Sequence, residues 1–191
     1  MKNQKHLDTR VQYTRTVLKN DMLTLLKEKS YEKITVKELC EVAEINRGTF
    51  YLHYASPVAL LKDIENQFVS ENMQIFDSYW QGGRSRNLIQ NLFSCIQKDG
   101  ETLCVLLSPN GDPQFLRSLT ELARESTVDE WQKEFPQYAR EDLEYLFMFV
   151  FPGMMALMQK WLEEPQTLTA KDFTKRLERL GHYALLAVDE F

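Results

Sequence analysis

Residues 35–54, Thr-Val-Lys-Glu-Leu-Cys-Glu-Val-Ala-Glu-Ile-Asn-Arg-Gly-Thr-Phe-Tyr-Leu-His-Tyr, decide the fold of this chain. Thr35 and Glu38 have the spacing of a capping box, in which the threonine hydroxyl accepts from the third helical amide and the glutamate reaches back to the cap. Val36, Leu39, Cys40 and Ala43 follow at helical spacing, so a short helix is expected here. Glu44-Ile45-Asn46 breaks that pattern, Asn46 is a good N-cap, and Arg47–Tyr54 extends as a second short helix. A helix, a tight turn and a second helix that opens with basic, small and polar side chains is the arrangement that seats one helix in a DNA major groove. Arg47 has the fork for guanine O6 and N7, Thr49 suits a thymine methyl or a phosphate, and Gly48 lets the backbone come close. Tyr51, His53 and Tyr54 carry polar tips suited to phosphate oxygens, while Phe50 packs inward. An ordinary helical hairpin with surface aromatics has the same spacing, so these residues alone leave both readings open.

Working outward, Val17, Leu18, Met22, Leu25 and Leu26 form an apolar stripe within Arg10–Glu28, the first helix. Ser56-Pro57 pairs a cap serine with a proline at the first helical position, and opens a fourth helix reaching about Trp80. Gln81-Gly-Gly-Arg-Ser85 holds the only glycine pair and reads as a connector. Leu88, Ile89, Leu92, Phe93 and Ile96 define a fifth helix ended by Asp99-Gly100, and Glu101–Leu107 a short sixth. Ser108-Pro-Asn-Gly-Asp-Pro113 is a dense turn cluster. A seventh helix carries Phe115, Leu116, Leu119, Leu122 and Ala123 towards Trp131. Arg140–Glu163 is apolar on nearly all sides in its middle and is expected to kink at Pro152, where Gly153 would admit a neighbouring helix. Thr169 and Asp172 cap a last helix with Phe173, Leu177, Leu180, Ala184 and Val188. The chain is therefore expected to be all-α, with about nine helices and no strand.

Composition agrees. Hydrophobic residues make up 43% of the 191 residues, enough for a sizeable core, and 7 Gly with 6 Pro give too few turns for a β-sandwich or barrel. The net charge of −5 divides unevenly: residues 1–56 hold 10 Lys and Arg against 7 Asp and Glu, the remainder 13 against 21. A basic third followed by an acidic remainder fits one part that meets a polyanion and one that does not, although chance surface composition gives the same numbers. Cys40, Cys95 and Cys104 lack metal or disulfide spacing and are read as reduced, in a cytoplasmic protein. The charged first residues, Met-Lys-Asn-Gln-Lys-His-Leu-Asp-Thr-Arg10, have no apolar stretch, so no secretory signal is expected. The longest apolar run, Leu146–Met158, is too short to span a bilayer. His6, His53 and His182 lie far apart, and no nucleophile motif, phosphate loop or metal-ligand pair accompanies them, so no catalytic residue, metal or cofactor is expected.

The stretch Thr35–Tyr54, with Ala-Ser-Pro-Val-Ala-Leu-Leu61 after it, resembles the N-terminal DNA-binding domain of the TetR family of bacterial transcriptional regulators. Arg-Gly-Thr-Phe-Tyr-Leu-His-Tyr is the most specific part, and the likeness covers about residues 10–68. It implies a three-helix DNA-binding domain over residues 1–56, a connecting helix starting within 57–80, and a ligand-binding and dimerisation bundle over 84–191. It also implies a homodimer on a palindromic double-stranded operator, released by a small-molecule effector, with the dimer formed through about 140–163 and 169–190. By resemblance Asn46, Arg47, Gly48 and Thr49 face or approach the bases, and Tyr51, His53, Tyr54 and Lys37 meet phosphates. Pocket walls are expected at Phe93, Ile96, Leu119, Trp131, Tyr145 and Phe149, because the corresponding helices enclose the cavity in that family. Leu106–Phe115 resembles a branch of the family with members tied to dihydroxyacetone metabolism. Two positions depart from the pattern. The usual turn glycine is Glu44, which predicts a slightly different turn, and the usual lysine after the cap serine is Pro57, a lost phosphate contact for which Lys37 or Lys62 would compensate. A protein-interaction module that retains the helix-turn-helix and docks a partner protein is the alternative function.

Overall fold

Apolar side chains at helical spacing give eight α-helices and no strand among the described residues, 2–80, 98–163 and 168–186 of a computed structural model. In chain order they are α1 (Lys2–Leu26), a 3₁₀ turn (Tyr31–Lys33), α2 (Val36–Val42), α3 (Arg47–His53), α4 (Pro57–Trp80), α5 (98–106), α6 (Pro113–Glu134), α7 (Arg140–Glu163) and α8 (Ala170–Leu186). The helix expected from Leu88 to Ile96, and the connector before it, lie outside the described residues. The break expected at Asp99-Gly100 is absent, since α5 is helical through Gly100. Glycine in a helix interior costs about 1 kcal/mol, less than burial of Leu103, Val105 and Leu106 returns.

The chain divides into two compact units, Met1–Ser70 with Val105–Pro113 and Glu71–Cys104 with Gln114–Phe191. In the first, Leu18, Met22 and Leu26 of α1, Leu39 of α2, Phe50 of α3, and Leu60 and Leu61 of α4 are all fully buried. The Ser108–Pro113 turn cluster belongs to this unit rather than to the C-terminal region alone. Its Asn110 side chain donates to the Leu26 carbonyl at 2.9 Å, satisfying an orphan acceptor at the end of α1. The Tyr31 amide donates to the Asn110 carbonyl at 2.8 Å. Lys62 of α4 bridges the buried carboxylates of Glu65 and Asp112, at 2.8 Å to each. Gly111 lies so close to Leu106 that a Cβ there would stand 2.1 Å from the Leu106 carbonyl oxygen, so no larger residue fits without a backbone shift.

In the second unit Leu143, Phe147, Phe151, Met154 and Met158 bury one face of α7. Phe147 stacks on Phe151 at 5.0 Å, and Trp131 of α6 meets Phe147 at 6.3 Å. Trp161 stacks on Phe173 of α8 at 4.8 Å and donates its indole N–H to the Leu168 carbonyl. α7 remains helical through Pro152. The close approach expected at Gly153 is not made among the described residues, because nothing lies within 4 Å of the position its Cβ would take.

Candidate nucleic-acid interface

Two caps and a left-handed turn set the angle between α2 and α3. The Glu38 amide donates to the Thr35 hydroxyl at 3.3 Å and the Thr35 amide to the Glu38 carboxylate at 3.0 Å, completing the expected capping box. Hydrogen bonds from Lys29 and then Thr35 hold the Glu38 carboxyl at about 2. At the start of α3 the Thr49 amide donates to the Asn46 side-chain oxygen at 2.8 Å, and the Thr49 hydroxyl donates to the same oxygen at 3.2 Å. Between the helices Glu44 has φ 51°, the left-handed region that favours glycine. The turn therefore keeps a glycine-like backbone with a glutamate in it, instead of changing shape to avoid the strain.

Behind α3 a polar clamp ties three helices together. The Tyr54 hydroxyl donates to Asp63 at 2.8 Å, Arg15 donates to the Tyr54 oxygen at 3.2 Å and to Asp63 at 2.9 Å, and Lys19 reaches the same carboxylate oxygen at 2.7 Å. The Arg15 guanidinium also lies 5.5 Å from the Tyr54 ring centroid, within cation–π range. Burial alone would raise the Asp63 carboxyl, but hydrogen bonds from Lys19, Tyr54 and Arg15 outweigh it and bring the group down to about 2. The Tyr54 phenol is pushed up to about 12, first by burial, which outweighs the downward pull of the Arg15 hydrogen bond, while the Asp63 hydrogen bond adds to the rise.

These contacts sort the expected DNA residues. Arg47, Gly48 and Tyr51 are exposed on α3, and Thr49 and His53 are half-buried beside them. Lys37 is exposed on α2 with only a long pair to Glu41 at 3.7 Å. Tyr54 departs from its expected place: it is 5% exposed and its hydroxyl is engaged in the clamp, so it anchors α3 and does not present a tip to phosphate. Asn46 stands at the exposed start of α3, but its oxygen is taken by the cap, whereas reading adenine uses both amide groups. Its part is to start the helix. Lys62 is held by Glu65 and Asp112 and does not stand in for the lysine replaced by Pro57. Gly48 is tied to the same cap, since a Cβ there would come within 3.1 Å of the Asn46 oxygen. Sequence reading missed the clamp partners Arg15 and Asp63, which are distant in the chain, and it missed Leu52, which is 83% exposed on α3.

The expected pocket residues differ in exposure. Trp131 is buried and Leu119 half-buried, while Tyr145 and Phe149 are 63% and 78% exposed on the outer side of α7. Phe93 and Ile96 lie outside the described residues.

Comparison with known proteins fixes the family. Residues 84–183, more than half of the chain, match the family model of the TetR transcriptional regulator C-terminal region. This chain belongs to the TetR family of transcriptional regulators. Over 63 residues the TetR-family chain is 33% identical to the HTH-type transcriptional regulator YxbF of Bacillus subtilis strain 168, a match covering 32% of this chain and only 17% of that relative. A TetR transcriptional regulator from Streptococcus agalactiae 2603V is similar over 93% of this chain and 98% of its own, at 25% identity and a TM-score of 0.65. FadR of Thermus thermophilus, a TetR-family repressor solved in complex with lauroyl-CoA, shares the fold at 19% identity and a TM-score of 0.53, over 90% of this chain and 93% of its own. The all-helical architecture of a helix-turn-helix followed by a helical C-terminal region is thus that of the family. Among the described residues no helix is long and apolar enough to cross a membrane.

Proposed function

We propose that this TetR-family regulator is a ligand-responsive repressor that binds a palindromic operator as a homodimer. The observation that carries the reading is the division of α3 into two faces. Phe50 and Tyr54 hold it from behind, while Gly48, Thr49 and Tyr51 stand on the outer side and Arg47 is exposed at the helix start, where a major groove would meet them. Lys37, His53 and Tyr51 then supply phosphate contacts that fix register, and Arg47 reads a guanine. The effector is a small, mainly apolar or amphipathic molecule, a class to which the lauroyl-CoA bound by the Thermus thermophilus protein belongs. Its site is in the C-terminal bundle, with Trp131 and Leu119 as walls. Tyr145 and Phe149 are assigned instead to the dimer surface because they are exposed in the single chain. To release DNA the effector must favour the operator-incompetent conformation, and a tenfold preference corresponds to about 1.4 kcal/mol.

The test is selection of bound duplexes from a randomised DNA pool at two salt concentrations. Enrichment of an inverted repeat that survives the higher salt supports a dimeric, sequence-reading regulator. Weak binding without enrichment that vanishes in salt removes the operator reading and favours a protein-docking module.

A further inference from the structure

We propose that Leu52 is a specificity-determining residue that reads the 5-methyl group of a thymine in each operator half-site; this rests on the DNA-binding reading above. α3 turns by about 100° per residue, so with Phe50 fully buried, positions 48 and 52 fall within about 20° of the direction directly away from the core. Gly48 and Leu52 therefore occupy the centre of the outer face, one turn apart, with Thr49 on one flank and Tyr51 on the other. Gly48 has no side chain, so the backbone approaches closely there and Leu52 becomes the side chain that projects furthest along the middle of the face. A single exposed leucine on a protein surface ordinarily needs no explanation. Here it lies on the face that Thr49 and Tyr51 flank, inside a helix that carries an exposed Arg47 at its start and whose position is fixed by two caps and the Arg15–Tyr54–Asp63 clamp.

The chemistry selects the partner group. Leucine has no donor or acceptor, so against the polar edges of guanine, cytosine and adenine it would leave their groups desolvated and unpaired. In the major groove the thymine methyl is the one apolar feature, and burying it against Leu52 gains without that penalty. The surrounding charge does not compete, because Arg47 stands five residues earlier, at the helix start, and points about 140° away from Leu52 around the helix axis.

The experiment uses the full-length protein and the operator that selection recovers. Each thymine is replaced singly by deoxyuridine, which removes only the methyl, and affinities are measured at fixed salt. For the unaltered protein one thymine per half-site should stand out with about a 3–10-fold loss, the size expected for burying one or two carbon groups. Leu52→Ala should bind the thymine and uracil forms of that position equally, and Leu52→Met should restore the difference. All three proteins should share one thermal midpoint and one salt slope, because Leu52 is outside the core and touches no phosphate. The proposal is overturned if Leu52→Ala keeps the same thymine preference at every position, or if no uracil substitution weakens binding. If no duplex is enriched at all, the operator reading itself fails and this inference falls with it, an outcome distinct from selective binding that ignores Leu52.

Discussion

Tyr51 and Tyr54 are the same residue type three positions apart, yet 58% and 5% exposed. The difference is set by helical phase: Tyr54 lies on the side of Phe50, and only a partner for its hydroxyl makes burial of that phenol tolerable. Asp63 and Arg15 provide it. Tyr54→Phe should therefore lower the unfolding free energy in urea by about 1.5–3 kcal/mol, the usual worth of a hydrogen bond to a charged acceptor. Tyr51→Phe should leave that stability within about 0.5 kcal/mol and weaken all duplexes alike. Equal stability losses in both variants would contradict the division of roles. Asp63 gives the clamp a pH signature. Its carboxyl is lowered from 3.8 to about 2 in the fold, so its contribution is fully present above about pH 4 and is lost as pH falls towards 2. Asp63→Asn should be less stable by about 1–3 kcal/mol at neutral pH, with the gap to the unaltered protein closing between pH 4 and 2. A gap that stays constant over that range would show that the carboxylate charge is not what holds the clamp. At this scale the sequence was only half legible: the spacing leaves Arg47, Gly48 and Tyr51 exposed on α3, but no local pattern reveals that Tyr54 meets an arginine and an aspartate from two other helices.

Elements were read more securely than residues, because caps and periodicity are local. α7 spans Arg140–Glu163 as its apolar run predicts, and the Thr35–Glu38 box starts α2 where expected. Two elements depart from expectation for opposite reasons. The Asp99-Gly100 break is overridden by burial of α5, whereas the Ser108–Pro113 cluster is a turn as predicted but docks on α1 and α4 of the first unit. Such docking is tertiary and leaves no periodic trace. The turn between α2 and α3 permits a direct test. Left-handed backbone costs a non-glycine residue about 1–2 kcal/mol, and replacing Glu44 by glycine removes that strain while adding about 0.5–1 kcal/mol of chain entropy in the unfolded state. Glu44→Gly should then be neutral or more stable by up to about 1.5 kcal/mol in chemical denaturation, with operator affinity unchanged. A clear loss of stability would mean that the Glu44 side chain makes a contact that outweighs the strain.

On the scale of the whole molecule, the uneven charge of the sequence fits one part that meets a polyanion, and the apolar middle of α7 fits one that self-associates. The single chain leaves Tyr145, Met148, Phe149 and Leu157 exposed along one side of α7, with Pro152, Gly153 and Ala156 between them. These positions recur every three or four residues, so they form a continuous stripe opposite the buried Leu143–Phe147–Phe151–Met154–Met158 face. The open space beside Gly153 is where a partner helix could approach closely, and Leu180 and Tyr183 of α8 are also exposed. If this stripe is the homodimer interface, a charge at its centre must desolvate against its own copy, because a two-fold axis brings like positions near each other. Phe149→Glu should reduce the mass measured by sedimentation from that of a dimer to the 22.5 kDa of one chain. Thermal unfolding of the first unit should be unaltered, since Phe149 lies in the second. Affinity for the palindrome should fall on the order of 10²-fold or more, because two linked half-site contacts become independent ones, while affinity for an isolated half-site should not change. A variant that remains dimeric would place the interface elsewhere, and one that becomes monomeric yet binds the palindrome undiminished would separate self-association from operator recognition.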